Sequence, residues 1–178
     1  MDGPSDHDLM AQAALGDQRA FRLLVGRHAP RALGVARRIL RSDALAEEIV
    51  QDAMLRVWIH APRWRPEAAF RTWLFRIVVN LCLNAKRRAA DLPFAAAGDP
   101  ADPAPDASAA LEARERDAEL AAAIDALPLR QRAAIVLTYQ EGLANAEAAA
   151  VLDTSISGLE TLLVRAKRTL RSALADPD

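Results

Sequence analysis

The sequence offers little that covalent or metal chemistry could use. One cysteine, Cys82, stands among 178 residues, so no internal disulfide is possible, and a lone thiol inside an apolar run is core filler rather than a nucleophile. A reducing cytosol fits that usage. His7, His28 and His60 are scattered, with no cysteine or carboxylate at a metal-ligand spacing. Seven glycines form no phosphate-cradling loop, and no serine is framed as a nucleophile. An enzyme is therefore the least favoured class, and no cofactor or metal is expected. No apolar run reaches the roughly 18 residues of a membrane span. The first residues, Met1 to Asp8, are acidic and polar where a secretory signal would be basic and then apolar. The expectation is a soluble, cytoplasmic protein with no membrane insertion.

Net charge is also nearly absent, at −1, but its distribution is uneven. Residues 1–90 hold fifteen Lys/Arg against nine Asp/Glu, residues 91–110 hold four acids and no base, and residues 111–178 hold eight bases against eleven acids. A basic first half is thus offset by an acidic second. Residues 91–110 place Pro93, Pro100, Pro103 and Pro105 among alanines with Asp91, Asp99, Asp102 and Asp106. Such a composition cannot bury enough apolar surface to fold alone and reads as an extended acidic linker. Two small domains, 1–90 and 111–178, are expected on either side.

No Val/Ile/Thr alternation is long enough for a sheet, and Ala, Leu, Arg and Glu abound, so the fold class is all-α. Helices are expected near 6–15, 18–40, 43–60, 67–89, 109–126, 129–140, 145–151 and 156–174. Their starts are marked by Ser5, Asp17, Ser42, Pro66, Ser108, Pro128, Asn145 and Ser155. Pro30 should kink or split the second helix, because it lacks an amide donor and clashes with the preceding turn.

Three stretches carry chemistry. Residues 70–88 combine an apolar stripe, arginines at one-turn spacing, large aromatics and a basic end, and Trp58, Trp64 and Trp73 are the chain's full tryptophan complement. Rings beside basic side chains suit a surface that holds unstacked bases and steers phosphates; an amphipathic core helix with a solvated basic face is the plainer alternative. In the third helix Ala46, Val50, Met54 and Val57 form the buried stripe, beside an acidic strip of Glu48, Gln51, Asp52 and Leu55. That strip could dock a basic helix of a partner, or be a solvated face with one incidental leucine. Residues 129–174 run helix, turn, short helix, turn, longer helix, the order of a helix-turn-helix, with a generic tri-helical core as the alternative. In the last helix Ile156, Leu159, Leu163, Ala166 and Leu170 mark the buried face. Ser155, Ser157, Gly158, Glu160, Thr161, Arg165, Lys167, Arg168 and Arg171 are left for solvent or DNA.

Four motifs, in order from about Asp8 to Leu174, resemble the extracytoplasmic-function (ECF) sigma factors of bacteria, the small group of sigma-70-type factors that keeps only regions 2 and 4. Ala20-Phe21-Arg22-Leu23-Leu24 with His28-Ala29-Pro30-Arg31 resembles the family's first long helix. The run from Glu47 to Trp58 is similar to region 2.2. Phe70-Arg71-Thr72-Trp73-Leu74 with Ile77, Asn80 and Arg87-Arg88 resembles regions 2.3 and 2.4. Leu127-Pro128-Leu129-Arg130-Gln131-Arg132, Tyr139-Gln140-Glu141-Gly142-Leu143 and the helix-turn-helix resemble region 4.

The resemblance implies a factor that binds core RNA polymerase, at the β′ clamp helices and the β flap, and directs it to promoter DNA. Glu48, Gln51, Asp52 and Leu55 become polymerase contacts. Trp64, Arg65, Phe70, Arg71, Trp73, Arg76, Asn80 and Asn84 become −10 element contacts, and Lys86, Arg87 and Arg88 hold the DNA backbone. Asn80 matches the position that helps hold a flipped base, whereas Trp73 has a spacing that also suits the core. The face of the last helix would read the −35 element, the linker would thread the RNA exit path, and an anti-sigma factor is the implied regulator.

Three departures from the family pattern stand out. Asn84 stands where an acid is common, Asp153 where glycine is common, and Glu160 and Leu162 where a basic pair is common. A carboxylate at Glu160 repels phosphate, and Leu162 is apolar yet off the expected stripe. Either that helix makes an apolar contact with a thymine methyl or it reads DNA weakly. Glu160 and Leu162 favour a second reading, a sigma mimic that sequesters an anti-sigma factor; the intact 63–88 tract and the lack of a receiver domain favour the first. A dimeric helix-turn-helix regulator would need neither the acidic strip nor the tryptophan cluster.

Overall fold

The structure is a computed structural model that describes residues 3–90 and 119–174. Among these, every regular element is helical. Helices α1 (Asp6–Ala14), α2 (Gln18–Leu40), α3 (Asp43–His60) and α4 (Phe70–Ala90) form the first domain, with a 3-10 turn at Ala61–Arg63. The second holds α5 (described over 119–125), α6 (Leu129–Ile135) running into a π-helical turn (Val136–Gln140), α7 (Asn145–Val151) and α8 (Ile156–Leu174). The expected linker at 91–110, Ser108 and the start of the helix expected at 109–126 lie outside the described residues.

Local chemistry sets the helix starts. The Ser5 hydroxyl accepts from the Asp8 amide at 3.2 Å while the Asp8 carboxylate accepts from the Ser5 amide at 3.2 Å, a reciprocal cap. Asp17 accepts from the amides of Arg19 and Ala20 at 2.7 and 3.2 Å, and Ser42 from Leu45 at 3.4 Å. One expected start shifts, while the helix expected at 145–151 begins at Asn145 as predicted. The fourth helix begins at Phe70, not near 67 or at Pro66, because Glu67 and Ala68 lie in a bend. At α7 the cap is Ala144, whose amide donates to Glu147 at 3.1 Å.

Pro30 does not split α2, which runs unbroken for 23 residues. A proline inside a helix costs about 3 kcal/mol, but Leu24 on one side and Ala32, Val35, Ala36, Ile39 and Leu40 on the other are all buried on the same helix. At roughly 1.5–3 kcal/mol for each large aliphatic side chain, that burial outweighs the proline. The residue one turn before it is Gly26, whose Cβ position is open space. Asp153 adopts φ 50, in the left-handed region where glycine is favoured, which explains why glycine is expected there and why a short polar residue is tolerated.

The core is continuous across both domains. In the first, α2 packs against α1, α3 and α4; in the second, α8 packs against α6 and α7. Cys82 is buried among them, and desolvation pushes its thiol up to about 12, which makes it inert. Arg130 and Arg132, both in the motif that joins α5 to α6, are scaffold residues. Arg130 donates to the Leu152 carbonyl at 2.7 Å. Arg132, 9% exposed, donates to the carbonyls of Ile39 at 2.8 Å, Leu127 at 3.2 Å and Asp125.

Removing the Arg132 side chain strands three carbonyl acceptors, so Arg132→Ala should lower unfolding stability by about 3 kcal/mol, against about 1 kcal/mol for the exposed Arg130→Ala, in urea denaturation. Asp6 fastens α1 to α2 through Arg27 at 2.5 Å and His28 at 2.8 Å. Partial burial pushes its carboxyl upward, but hydrogen bonds from His28 and Arg27 outweigh this and hold it below its ordinary 3.8. A depressed carboxyl stabilises above its unfolded value and loses that contribution as pH falls through the folded one. Asp6→Asn should therefore be destabilising at neutral pH, with the gap to the native chain closing below about pH 4.

Candidate nucleic-acid interface

Helix α4 is buried along one side and lines a cavity along another. Leu74, Phe75, Val78, Val79 and Cys82 are buried, and the three-and-four spacing that buries them leaves Trp73, Arg76, Ile77, Asn80 and Asn84 along an adjoining edge. This edge, with Trp64 and Arg65 from the preceding loop, bounds a cavity of about 580 Å³. Of the −10 candidates the structure thus brings together Trp64, Arg65, Trp73, Arg76, Asn80 and Asn84.

The aromatic rings form a triangle at one end. Trp64 lies 6.2 Å from Trp73 and 6.4 Å from Phe70, and Phe70 lies 5.9 Å from Trp73. Phe70 is expected from its motif to touch DNA, but at 4% exposure it is a core residue, with the His28 ring 4.8 Å away. It begins α4 and closes over the bundle, supporting the two tryptophans. Trp73 is half-buried; it packs against the core, as its spacing suggests, and also lines the cavity. Arg71 is half-buried outside the cavity. Lys86, Arg87 and Arg88 are exposed near the end of α4, where Arg87 donates to Asn84 at 3.1 Å.

Arg56, His60, Arg63 and Thr72 also line the cavity, and sequence reasoning missed them. Arg56 and His60 carried a usable signal, since they stand one turn apart on the exposed side of α3 just before the tryptophan-bearing loop. Four arginines, at 56, 63, 65 and 76, therefore surround the cavity against one lining carboxylate, Glu67. Such a site attracts a polyanion and offers rings and an amide to a base.

The acidic strip on α3 has the expected geometry. Ala46, Val50, Met54 and Val57 are buried, whereas Glu48, Gln51 and Leu55 face solvent. Asp52 is held by Arg56 at 3.0 and 3.1 Å, one turn along. Ile59, one turn beyond Leu55, is exposed as well and extends the apolar part of the strip.

On α8 the Ser155 hydroxyl accepts from the Gly158 amide at 3.0 Å and meets the Ser157 hydroxyl at 3.0 Å. A Cβ at Gly158 would run into the Thr154 hydroxyl, so close approach of that side chain requires the glycine. Thr161 donates to the Ser157 carbonyl at 2.9 Å. Glu160, Arg165, Lys167, Arg168 and Arg171 are exposed, with Lys167 lying 4.9 Å above the Tyr139 ring. Two expectations change on this helix. Ile156, expected in the buried stripe, is 49% exposed because it sits at the first helical position, ahead of the packing contact. Leu162, expected off the stripe, packs against the core as a half-buried residue. Val164 is the most exposed of the large apolar side chains on this helix.

Comparison with known proteins agrees with this geometry. The Sigma-70 region 2 family matches residues 24–91, and the Sigma-70 region 4 family matches residues 117–170. The chain is 36% identical over 187 residues to the RNA polymerase sigma factor CnrH of Cupriavidus metallidurans, covering 98% of this chain and 97% of that one. It is 35% identical over 170 residues to the ECF RNA polymerase sigma factor SigM of Mycobacterium tuberculosis, covering 96% and 85%. Among solved structures, CnrH in complex with the cytosolic domain of CnrY superimposes with a TM-score of 0.72 at 32% identity, over 98% of this chain and 100% of that one. The sigma factor RpoE of Bartonella quintana, in complex with the anti-sigma factor NepR, shares the fold with a TM-score of 0.69 at 23% identity, over 88% and 98%. Two helical domains, a cavity ringed by arginine and tryptophan, and this likeness over nearly the whole length converge: the chain belongs to the extracytoplasmic-function group of sigma-70-type RNA polymerase sigma factors.

Proposed function

We infer that the protein binds core RNA polymerase, brings it to a two-part promoter and nucleates strand opening, without catalysing a reaction itself. The observation that carries this reading is the cavity in which Trp64, Trp73 and Asn80 are surrounded by arginines. Residues 1–90 serve as region 2, residues 91–110 as the linker and residues 111–178 as region 4. Glu48, Gln51, Asp52, Leu55 and Ile59 dock polymerase. Trp64, Arg65, Trp73, Arg76, Asn80 and Asn84 receive an unstacked base of the −10 element, while Lys86, Arg87 and Arg88 hold its backbone. The exposed face of α8 reads the −35 element, with Val164 able to meet a thymine methyl.

Among the described residues no helix is long and apolar enough to cross a membrane, which fits action in the cytoplasm. An anti-sigma factor regulates the protein on this reading, supported by the complexes in which CnrH and RpoE were solved. The decoy reading draws on Glu160 alone, since Leu162 is turned toward the core.

Run-off transcription with purified core polymerase and a library of promoter fragments tests the function. The native chain should give specific transcripts that are lost with Asn80→Ala and with Gln51→Ala/Asp52→Ala. Stable binding to core without any transcript would favour the decoy, and no binding to core would refute both readings. Promoter binding by the polymerase complex should also weaken with salt. Arg87→Ala should reduce the steepness of that dependence by about one unit on a double-logarithmic plot while affecting all promoters alike, the pattern of a lost phosphate contact.

A further inference from the structure

Of the two tryptophans that line the cavity, Trp73 stands on α4 and Trp64 on the loop before it. Trp64 ends the 3-10 turn, where its amide donates to the Ala61 carbonyl at 3.2 Å, and the chain becomes helical again only at Phe70. A side chain on a loop is placed less precisely by its own backbone than one on a helix, so its neighbours must orient it. Phe70 and Trp73 do so from α4, at 6.4 and 6.2 Å. A third ring comes from α1: His7 lies 6.0 Å from Trp64, with the two planes at 51°.

His7 is exposed, and the residues that bury α1 in the bundle are Leu9, Met10 and Ala13. The fold therefore does not depend on the His7 ring. Its backbone is nonetheless fixed on both sides. Ser5 and Asp8 close the reciprocal cap around it, and Asp6 ties the same turn to Arg27 and His28 of α2. His28 in turn meets Phe70. Helix α1 thus reaches the ring cluster twice, at Trp64 through His7 and at Phe70 through Asp6 and His28. All of α1 precedes Leu24, where the match to the Sigma-70 region 2 family begins.

We propose that His7 is a positioning residue for promoter opening, which holds the Trp64 ring in the orientation that an unstacked −10 base meets. The proposal rests on the reading of the cavity as the −10 site and adds a residue that serves it without touching DNA. Holding the ring beforehand removes the ordering cost that base capture would otherwise carry. A tilted ring pair contributes a bias of about threefold. Because a base reaches Trp64 only after it leaves the duplex, that bias falls on the opening step and not on binding of the closed promoter.

The test uses the full chain with core polymerase on a promoter recovered by run-off transcription. It measures affinity for the intact duplex in the cold, before opening, and the rate of opening on warming, from 2-aminopurine in the −10 non-template strand. His7→Ala should slow opening about threefold, with duplex affinity and the urea midpoint of the free chain unchanged. His7→Phe, which restores a ring, should recover the native rate. In a Trp64→Ala background, itself slow to open, His7→Ala should have no further effect, because the two side chains act as one unit. Equal slowing by His7→Ala in both backgrounds, a matching loss of duplex affinity, or a His7→Phe variant as slow as His7→Ala would overturn the positioning role. So would a native rate in His7→Ala where Trp64→Ala is slow, and the −10 reading of the cavity would then stand alone. Opening indifferent to Trp64→Ala would instead remove that reading, and the role of His7 with it.

Discussion

Helix α4 carries the central constraint, because one helix must be both a pillar of the core and the wall of a polyanion-attracting cavity. Its buried face, from Leu74 to Cys82, fixes its rotation against α2 and α3. That rotation then sets where Trp73, Arg76, Asn80 and Asn84 point. Phe70 is the joint between the two roles. It is buried itself, yet it holds Trp64 and Trp73 from below and meets His28 of α2, which Asp6 of α1 binds in turn. The ion pair that fastens the first helix thus continues through tilted and edge-on ring contacts to the cavity. Rings held this way are pre-organised, so a base entering the cavity would not have to order them.

The near-neutral charge of the chain acquires a spatial meaning. The basic surplus of the first domain is met across the interface by acids of the second, with Asp125, Glu141, Glu147 and Asp153 all facing it. Arginines that would otherwise attract any polyanion are partly occupied while the domains are together.

Most of the fold was legible because it rests on local rules. The caps at Ser5, Asp17 and Ser42 and the three-and-four apolar spacing of α3 predict what the structure contains. Pro30 shows where local rules fail, since packing of the residues on either side carries α2 through it. The site was legible in its composition but not in its arrangement. Trp64, Trp73 and Asn80 stand out by residue type and by likeness to a family, whereas Phe70 looks like a contact because its motif is rich in contacts. Burial at a helix start depends on which way the preceding loop enters, and that is not written in a period. The partners of Glu141 were beyond reach for a similar reason. Arg31 and Arg38 lie over a hundred residues away in sequence, and nothing local distinguishes an arginine that meets solvent from one that meets another domain.

The central claim is that the cavity on α4 receives a single unstacked base. Fluorescence of 2-aminopurine, placed in turn at each position of the −10 non-template strand, reports it most directly in the polymerase–promoter complex. The account predicts a strong rise at one or two positions, diminished when Asn80 is replaced. A uniform response along the element, or a rise that is indifferent to both Asn80 and Trp64, would contradict it.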